Sequence, residues 1–343
     1  MKTGVILMTA LVPTIGHDFL VKFARNFLTD SAHLFVIIST RSKEPTLFSE
    51  RISSEMLKCR TIIVNHSDED APQNPEGPND FKFWEYWRDK VHSLVGQKID
   101  YVFASEKYGH DLAEWLDAEF IPVDIARDVV RAKGLIVRRN LSEKFDLVSP
   151  AVQMKMHKNI VLFGPESCGK TTMAKHLAAT FKSQFLPEWA RPYLEEVGPE
   201  TTEKRMRTIV NGQFALEQCI DKTKLFTFLD TDLLTTLGFY RLYNMKPPID
   251  LFEKIKLTRV AKTYIVMNDE IPFTADILRY GGDHRESKKQ FWIDILNEFD
   301  RHYYVVEETD PVKQGNELWT LMRNLPLLPG GATMNTLHKF ERE

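Results

Sequence analysis

A chain of 343 residues is longer than one ordinary hydrophobic core organises, so two domains of roughly 150 residues are expected. Apolar residues at 43% and charged residues at 27% exclude a disordered or membrane-embedded chain, and no apolar run approaches the ~20 residues that span a bilayer. With 45 basic against 48 acidic residues, a net charge of −3 argues against nucleic acid as the main partner. Cys59, Cys168 and Cys219 are scattered without C-x-x-C spacing, which excludes a disulfide framework or zinc ribbon and fits a reducing compartment. No signal peptide opens the chain, so a cytoplasmic protein without a membrane partner is expected.

In chain order, residues 4–8, 34–39, 61–64 and 101–104 read as short buried strands, with helical spacing over 17–27, 49–60 and 81–95. That alternation predicts βαβ units around a parallel sheet. Thr14-Ile15-Gly16-His17 follows the first strand and opens a helix in a [HT]-x-G-H arrangement. A helix N-terminus bearing a hydroxyl and an imidazole supplies donors where charge develops on the α-phosphate of ATP, as nucleotidyl transfer requires. Read structurally, the same residues are a capping threonine and a surface histidine. The polar, proline-rich stretch 66–80 interrupts the alternation, and loops of that length in compact domains are usually functional. Phe83-Trp84-Glu85-Tyr86-Trp87 follows it. Such rings at helical spacing are more often core than ligand platform, although a planar, partly cationic ring stacks well on tryptophan.

The pattern blurs over 138–157, which places the domain junction there and gives domains 1–150 and 151–343. Residues 158–163 begin a second α/β series, continued by strands at 225–229, 263–267 and 303–306, and the tail after Leu325 reads as irregular. Gly164-Pro165-Glu166-Ser167-Cys168-Gly169-Lys170-Thr171, with Thr172 next, matches G-x-x-x-x-G-K-[ST] between an apolar strand and a helix over 170–181. In such a loop backbone N–H groups cradle phosphate, Lys170 reaches the β- and γ-phosphates, and the Thr171 hydroxyl ligates Mg²⁺. Asp230 and Asp232 end the next apolar strand. Asp230 stands on the Mg²⁺ side, and either carboxylate is a candidate base for a substrate hydroxyl; both also suit a helix cap. Arg279 and Arg285, around Gly281-Gly282, look like a lid whose guanidinium forks meet the transferring oxygens. The short second half carries no NKxD-type guanine signature, which favours a small nucleoside kinase over a motor or GTPase.

The order of these blocks resembles the NadR-type bifunctional enzymes, which join nicotinamide mononucleotide adenylyltransferase to ribosylnicotinamide kinase. The resemblance runs from about residue 4 to about residue 320. It includes TIGH at 14–17, PQNPEGPNDFKFWEYW at 72–87 and FASEKYGHDLA at 103–113. In the second half it includes FGPESCGKTT at 163–172, PEWARPYLEE at 187–196, FLDTDLLTT at 228–236 and FTADILRYGG at 273–282. It implies a Rossmann-like nucleotidyltransferase domain fused to a P-loop kinase domain, both α/β with parallel sheets. The kinase would phosphorylate ribosylnicotinamide with ATP and Mg²⁺. The transferase would join the resulting nicotinamide mononucleotide (NMN) to AMP from ATP, giving NAD and pyrophosphate. Trp84 and Trp87 match the nicotinamide-side aromatics, and Glu188 and Arg191 the residues that hold the nucleoside. The implied partners are these small molecules, and a homo-oligomer is compatible with the sequence.

Two departures stand out. The approach to the histidine usually reads G-x-F-x-P, but here it is Met8-Thr9-Ala10-Leu11-Val12-Pro13. A later ATP motif usually reads I-S-[GA]-T-x-I-R. In its counterpart Gly134 and Arg138 survive, while Lys133 and Leu135 replace the hydroxyls that would contact phosphate. The chain also starts at its first strand, without room for a helix-turn-helix, so a repressor role is not expected. Two rivals follow: a kinase with a weak or nucleotide-sensing front half, and a P-loop switch or scaffold that controls a partner.

Overall fold

The computed structural model describes residues 1–40, 60–68, 71–72, 80–258, 262–270, 287–327 and 331–339. Of the helix predicted over 49–60, residues 49–59 lie outside the described residues, as do Arg279 and Arg285, and Arg60 begins a strand instead. The chain divides into two compact units, built on residues 1–155 and 156–327. Among the described residues no helix is long and apolar enough to cross a membrane.

The first unit runs β1 (Thr3–Met8), α1 (Ile15–Phe27), β2 (His33–Thr40), β3 (Arg60–Ser67), α2 (Phe81–Val95), β4 (Tyr101–Ala104), α3 (Tyr108–Trp115), β5 (Glu119–Pro122), α4 (Gly134–Arg139) and α5 (Pro150–Met156). Its five strands are all parallel in the order β3-β2-β1-β4-β5. Both faces of such a sheet are covered, so its inner strands are apolar without a break. Alternate residues part to the two faces. Ile6, Leu34, Val36, Ile38 and Phe103 pack under α1 with Leu20, Val21 and Ala24. Val5, Phe35, Ile37 and Val102 pack on the other side with Trp84, Trp87 and Val91 of α2 and Leu112 of α3. Asp80 caps α2, accepting from the Phe83 N–H at 3.2 Å, and Gly96 ends that helix in the left-handed region (φ 66°).

The second unit continues with β6 (Lys158–Phe163), α6 (Lys170–Thr180), β7 (Gln184–Leu186), α7 (Ala190–Val197), α8 (Glu203–Gln218), β8 (Phe226–Leu229), α9 (Leu233–Leu242), α10 (Ile249–Leu257), β9 (Lys262–Val266), α11 (Lys289–Glu298), β10 (Tyr303–Val305) and α12 (Pro311–Asn324). The sheet is again all parallel, β10-β9-β6-β8-β7, with the strand that feeds the phosphate loop at its centre. Val161, Phe163, Leu229, Tyr264 and Val266 meet Leu233, Leu237, Tyr240 and Trp292 in one core. The tail is not wholly irregular as expected, since Met334–Lys339 forms a short helix.

Candidate active sites

In both units the motifs stand at the carboxyl ends of parallel strands, where open α/β sheets bind their ligands. In the second unit β6 runs into the Gly164–Lys170 loop. Gly164 (φ 134°) and Gly169 (φ 82°) adopt backbone angles that L side chains avoid, and Ser167 (φ 56°) joins them in the left-handed region. The turn closes on itself: Cys168 Sγ donates to the Pro165 carbonyl at 3.0 Å, and Lys170 Nζ donates to the carbonyls of Gly164 (3.0 Å) and Pro165 (2.5 Å). Thr171, in the first turn of α6, donates its hydroxyl to Asp230 Oδ2 at 2.7 Å. The loop, its lysine, the hydroxyl and the strand-end carboxylate are therefore together. Thr172 is exposed on the next position of α6. Glu166 is buried and accepts from the Ser287 hydroxyl at 3.2 Å, which itself takes the Trp292 indole N–H at 2.9 Å. Glu188 and Arg191 flank Trp189 at the entry to α7, both half-buried.

Asp232 does not stand free as a base. Its Oδ1 accepts from the backbone N–H groups of Leu234 (3.0 Å) and Thr235 (3.1 Å), capping α9. Its Oδ2 accepts from Lys262 Nζ (2.9 Å) and the Tyr264 hydroxyl (2.7 Å). At 1% exposure every lone pair is taken by the fold, so the capping role displaces the catalytic one expected for it. Lys262 also donates to Glu217 Oε2 at 2.8 Å. Burial alone would raise the Asp232 carboxyl and lower the Lys262 ammonium; their mutual attraction and hydrogen bonds reverse both directions. For Glu217 burial wins over the pull of Lys262, and its carboxyl is held above the usual range.

In the first unit Thr14 begins α1 with extended backbone (φ −118°, ψ 164°). His17 Nδ1 accepts the Thr14 N–H at 3.0 Å and lies 2.8 Å from the Thr14 hydroxyl. A ring nitrogen that accepts an amide carries the lone pair, which leaves the ring proton on Nε2. Burial lowers the His17 pKa to about 4, with Arg138 and Arg127 pushing the same way against a hydrogen bond to the Thr9 backbone. The imidazole is thus a neutral donor at pH 7.

The second ATP motif closes on the first. A side chain at Gly16 would come within 2.8 Å of the Ala132 carbonyl, and one at Gly134 would stand 3.5 Å from His17 Cε1 and 3.6 Å from Arg138 Nη1. Gly16, His17, Gly134 and Arg138 therefore converge. Arg127 joins them without a sequence signal that pointed to it. Held at φ 57°, it donates to the Ala132 carbonyl at 3.0 Å and to Glu106 Oε1 at 3.1 Å. Lys133 is exposed at the cap of α4, and Leu135 is half-buried in its first turn.

Trp84 and Trp87 pack as core. They are 1% and 3% exposed, Trp84 edge-to-face with Phe83 (4.8 Å) and Trp87 with its indole N–H on the Pro72 carbonyl (2.9 Å). Neither offers the open ring face that stacking on nicotinamide requires, because both fill the layer between α2 and the sheet. The nearby polar chain His66 Nε2, Tyr86 hydroxyl and Asp68 Oδ2 (3.0 and 2.6 Å) was not anticipated. Lys262, Tyr264 and Gln213 were also missed. A lysine opening a fully covered strand, and a glutamine on the apolar stripe of a helix, were the available signals.

The two units define a class: an α/β protein in which a Rossmann-like domain precedes a P-loop nucleotide-binding domain. The AAA domain family matches residues 159–313, which contain the whole phosphate loop and Asp230. The trifunctional NAD biosynthesis/regulator protein NadR of Salmonella typhimurium is 22% identical over 291 residues, 79% of this chain and 68% of that protein. NadR of Escherichia coli is 23% identical over 253 residues, 69% of this chain and 60% of that protein. A crystal structure of NadR in complex with NAD and AMP-PNP aligns with a TM-score of 0.47 at 19% identity, covering 93% of this chain and 95% of that one. One of NadR in complex with NR aligns with a TM-score of 0.49 at 17% identity, covering 92% and 93%. In motif order and in these alignments the chain is similar to NadR.

Proposed function

We propose that this chain makes NAD in two ATP-dependent steps: phosphorylation of ribosylnicotinamide in the second unit and adenylyl transfer to the mononucleotide in the first. The 2.7 Å pairing of Thr171 Oγ1 with Asp230 Oδ2 beside the phosphate loop carries the reading. A hydroxyl and a carboxylate at the mouth of a P-loop form the hard oxygen donor set that suits Mg²⁺. When bound, the ion neutralises charge on the β- and γ-phosphates. Lys170 exchanges its loop carbonyls for phosphate oxygens. Glu188 and Arg191 hold the nucleoside so that its hydroxyl oxygen bonds to the γ-phosphorus as the bond to ADP breaks, the hydroxyl proton leaving to a carboxylate or water. With Asp232 bound into the fold, Asp230 and Glu188 are the carboxylates on this side of the sheet that match the motifs.

In the first unit a phosphate oxygen of the mononucleotide attacks the α-phosphorus of ATP and pyrophosphate departs. The nucleophile is already anionic, so no general base is required. His17 as a neutral Nε2–H donor, Arg138 and Arg127 stabilise the developing charge. NAD biosynthesis and regulation in the curated relatives support this assignment. A second reading, a kinase whose front half binds nucleotide without turning it over, rests on Lys133 and Leu135 standing where phosphate-binding hydroxyls are expected.

Product analysis with ATP, Mg²⁺ and either ribosylnicotinamide or NMN tests both. NAD formed from NMN supports the two-step enzyme. Mononucleotide from the riboside without NAD from NMN supports the second reading, and turnover of neither substrate sinks both.

A further inference from the structure

Two loops at the carboxyl end of the second sheet are tied to one helix. Gln213 lies on the buried stripe of α8, spaced with Met206, Ile209, Val210 and Glu217, where the pattern calls for an apolar residue. It is 1% exposed. Its Oε1 accepts the Trp189 N–H at 3.1 Å, and its Nε2 donates to the Thr231 carbonyl at 2.9 Å. Trp189 stands between Glu188 and Arg191; Thr231 stands between Asp230 and Asp232. One turn further along α8, Glu217 accepts from Lys262, which also binds Asp232. The Trp189 ring is pressed on the same helix: a side chain at Gly212 would come within 2.2 Å of it, and Tyr193 stacks on it at 5.1 Å and 21°.

A side-chain amide, with an acceptor oxygen and a two-donor NH₂ at fixed separation, can span an N–H of one loop and a C=O of the other, and Gln213 also hydrogen-bonds the Glu217 side chain. Buried amides persist where both ends are satisfied, as here. A methionine would fill the same volume and leave both backbone groups unpaired. We propose that Gln213 is a positioning residue for phosphoryl transfer, fixing the segment that bears Glu188 and Arg191 against the segment that bears Asp230, so that metal and nucleotide on one side are felt on the nucleoside side. This rests on the kinase reading above. Its physical basis is that transfer is sensitive to displacements of about 1 Å between reacting groups, and that coupling between two binding events is reciprocal.

The test uses the full chain. Hydrogen exchange is measured by mass spectrometry with and without Mg²⁺ and AMP-PNP. In the wild type, protection is expected at 226–236 and also at 187–194. In Gln213→Met it stays confined to 226–236, the KM for ribosylnicotinamide rises about tenfold, and half-saturation by Mg²⁺ shifts upward. A Gln213→Met protein with wild-type KM and Mg²⁺ dependence, altered only in Tm, makes Gln213 a packing residue and overturns the proposal. If that variant does not fold, the wild-type exchange decides alone: no protection at 187–194 overturns it. A wild type that phosphorylates no nucleoside defeats the kinase reading, while the exchange data still judge the coupling.

Discussion

The two units arrange their candidate phosphate-handling groups in opposite ways. In the second, the loop, its lysine and the first helical hydroxyl come from eight contiguous residues, and one distant carboxylate, Asp230, completes the set. In the first, the groups come from three separate segments: Thr14 to His17, Arg127, and Gly134 to Arg138. The first site is also built around a histidine that burial keeps neutral, whereas the second is backed by a buried ionic cluster. A contiguous loop tolerates little change, since each glycine holds a backbone angle. A dispersed site can lose a hydroxyl at 133 or 135 and still keep its cations, because those arrive from elsewhere.

The sharpest way to break this comparison is to remove one charge from each side. Lys170→Ala is expected to reduce nucleoside phosphorylation by about a thousandfold and to leave NAD formation from NMN unchanged. Loss of both activities in a folded variant would mean that the two sites do not work independently. Both products can be followed chromatographically in the same reaction.

The paired aspartates come next. Asp232→Ala leaves Lys262 buried with one anion fewer and strips the cap from α9, so a stability loss of about 3 kcal/mol is expected in urea unfolding. Asp230→Asn should keep its stability within about 0.5 kcal/mol of wild type and lose the Mg²⁺-dependent activity. Equal stability losses would contradict the division of roles drawn from their hydrogen bonds.

That division also shows what the sequence made legible. The phosphate loop, the parallel sheets and the strand-end position of Asp230 follow from local pattern, because glycine spacing and uninterrupted apolar runs have one economical explanation each. Asp230 and Asp232 could not be told apart, since their difference is made by Lys262 and Tyr264 on a strand 30 residues away. Trp84 and Trp87 sit on a helical stripe that reads equally as core or platform, and only the packing of α2 on the sheet settled it. The short strands β5 and β7 escaped because three or four residues at a sheet edge carry too little periodicity. Arg127 could not be anticipated because a left-handed arginine in a loop leaves no spacing to detect.

His17→Ala sharpens the other half of the comparison. Removal of the neutral donor at the α1 terminus is expected to slow NAD formation from NMN by about a hundredfold while sparing the kinase. An unchanged rate would make the histidine a capping residue alone and remove it from the proposed adenylyl-transfer site.

The smallest effect is a matter of pH. Folding lowers His17 from about 6.5 to about 4, so between those values the unfolded chain binds a proton that the folded one refuses. Stability from this residue is therefore complete above about pH 6.5, declines as pH falls toward 4, and changes no further once both states are protonated. His66, also lowered by burial, drifts the same way. The comparison that isolates His17 is the difference in urea midpoint between the wild type and His17→Gln, followed from pH 7.5 to 4.5. The wild type should lose ground to the variant as pH falls, because glutamine has no proton to bind. A difference that stays constant would mean that folding leaves the His17 pKa unshifted, and a wild type that gains on the variant as pH falls would mean that folding favours the charged ring; the second outcome would remove the neutral-donor role in adenylyl transfer.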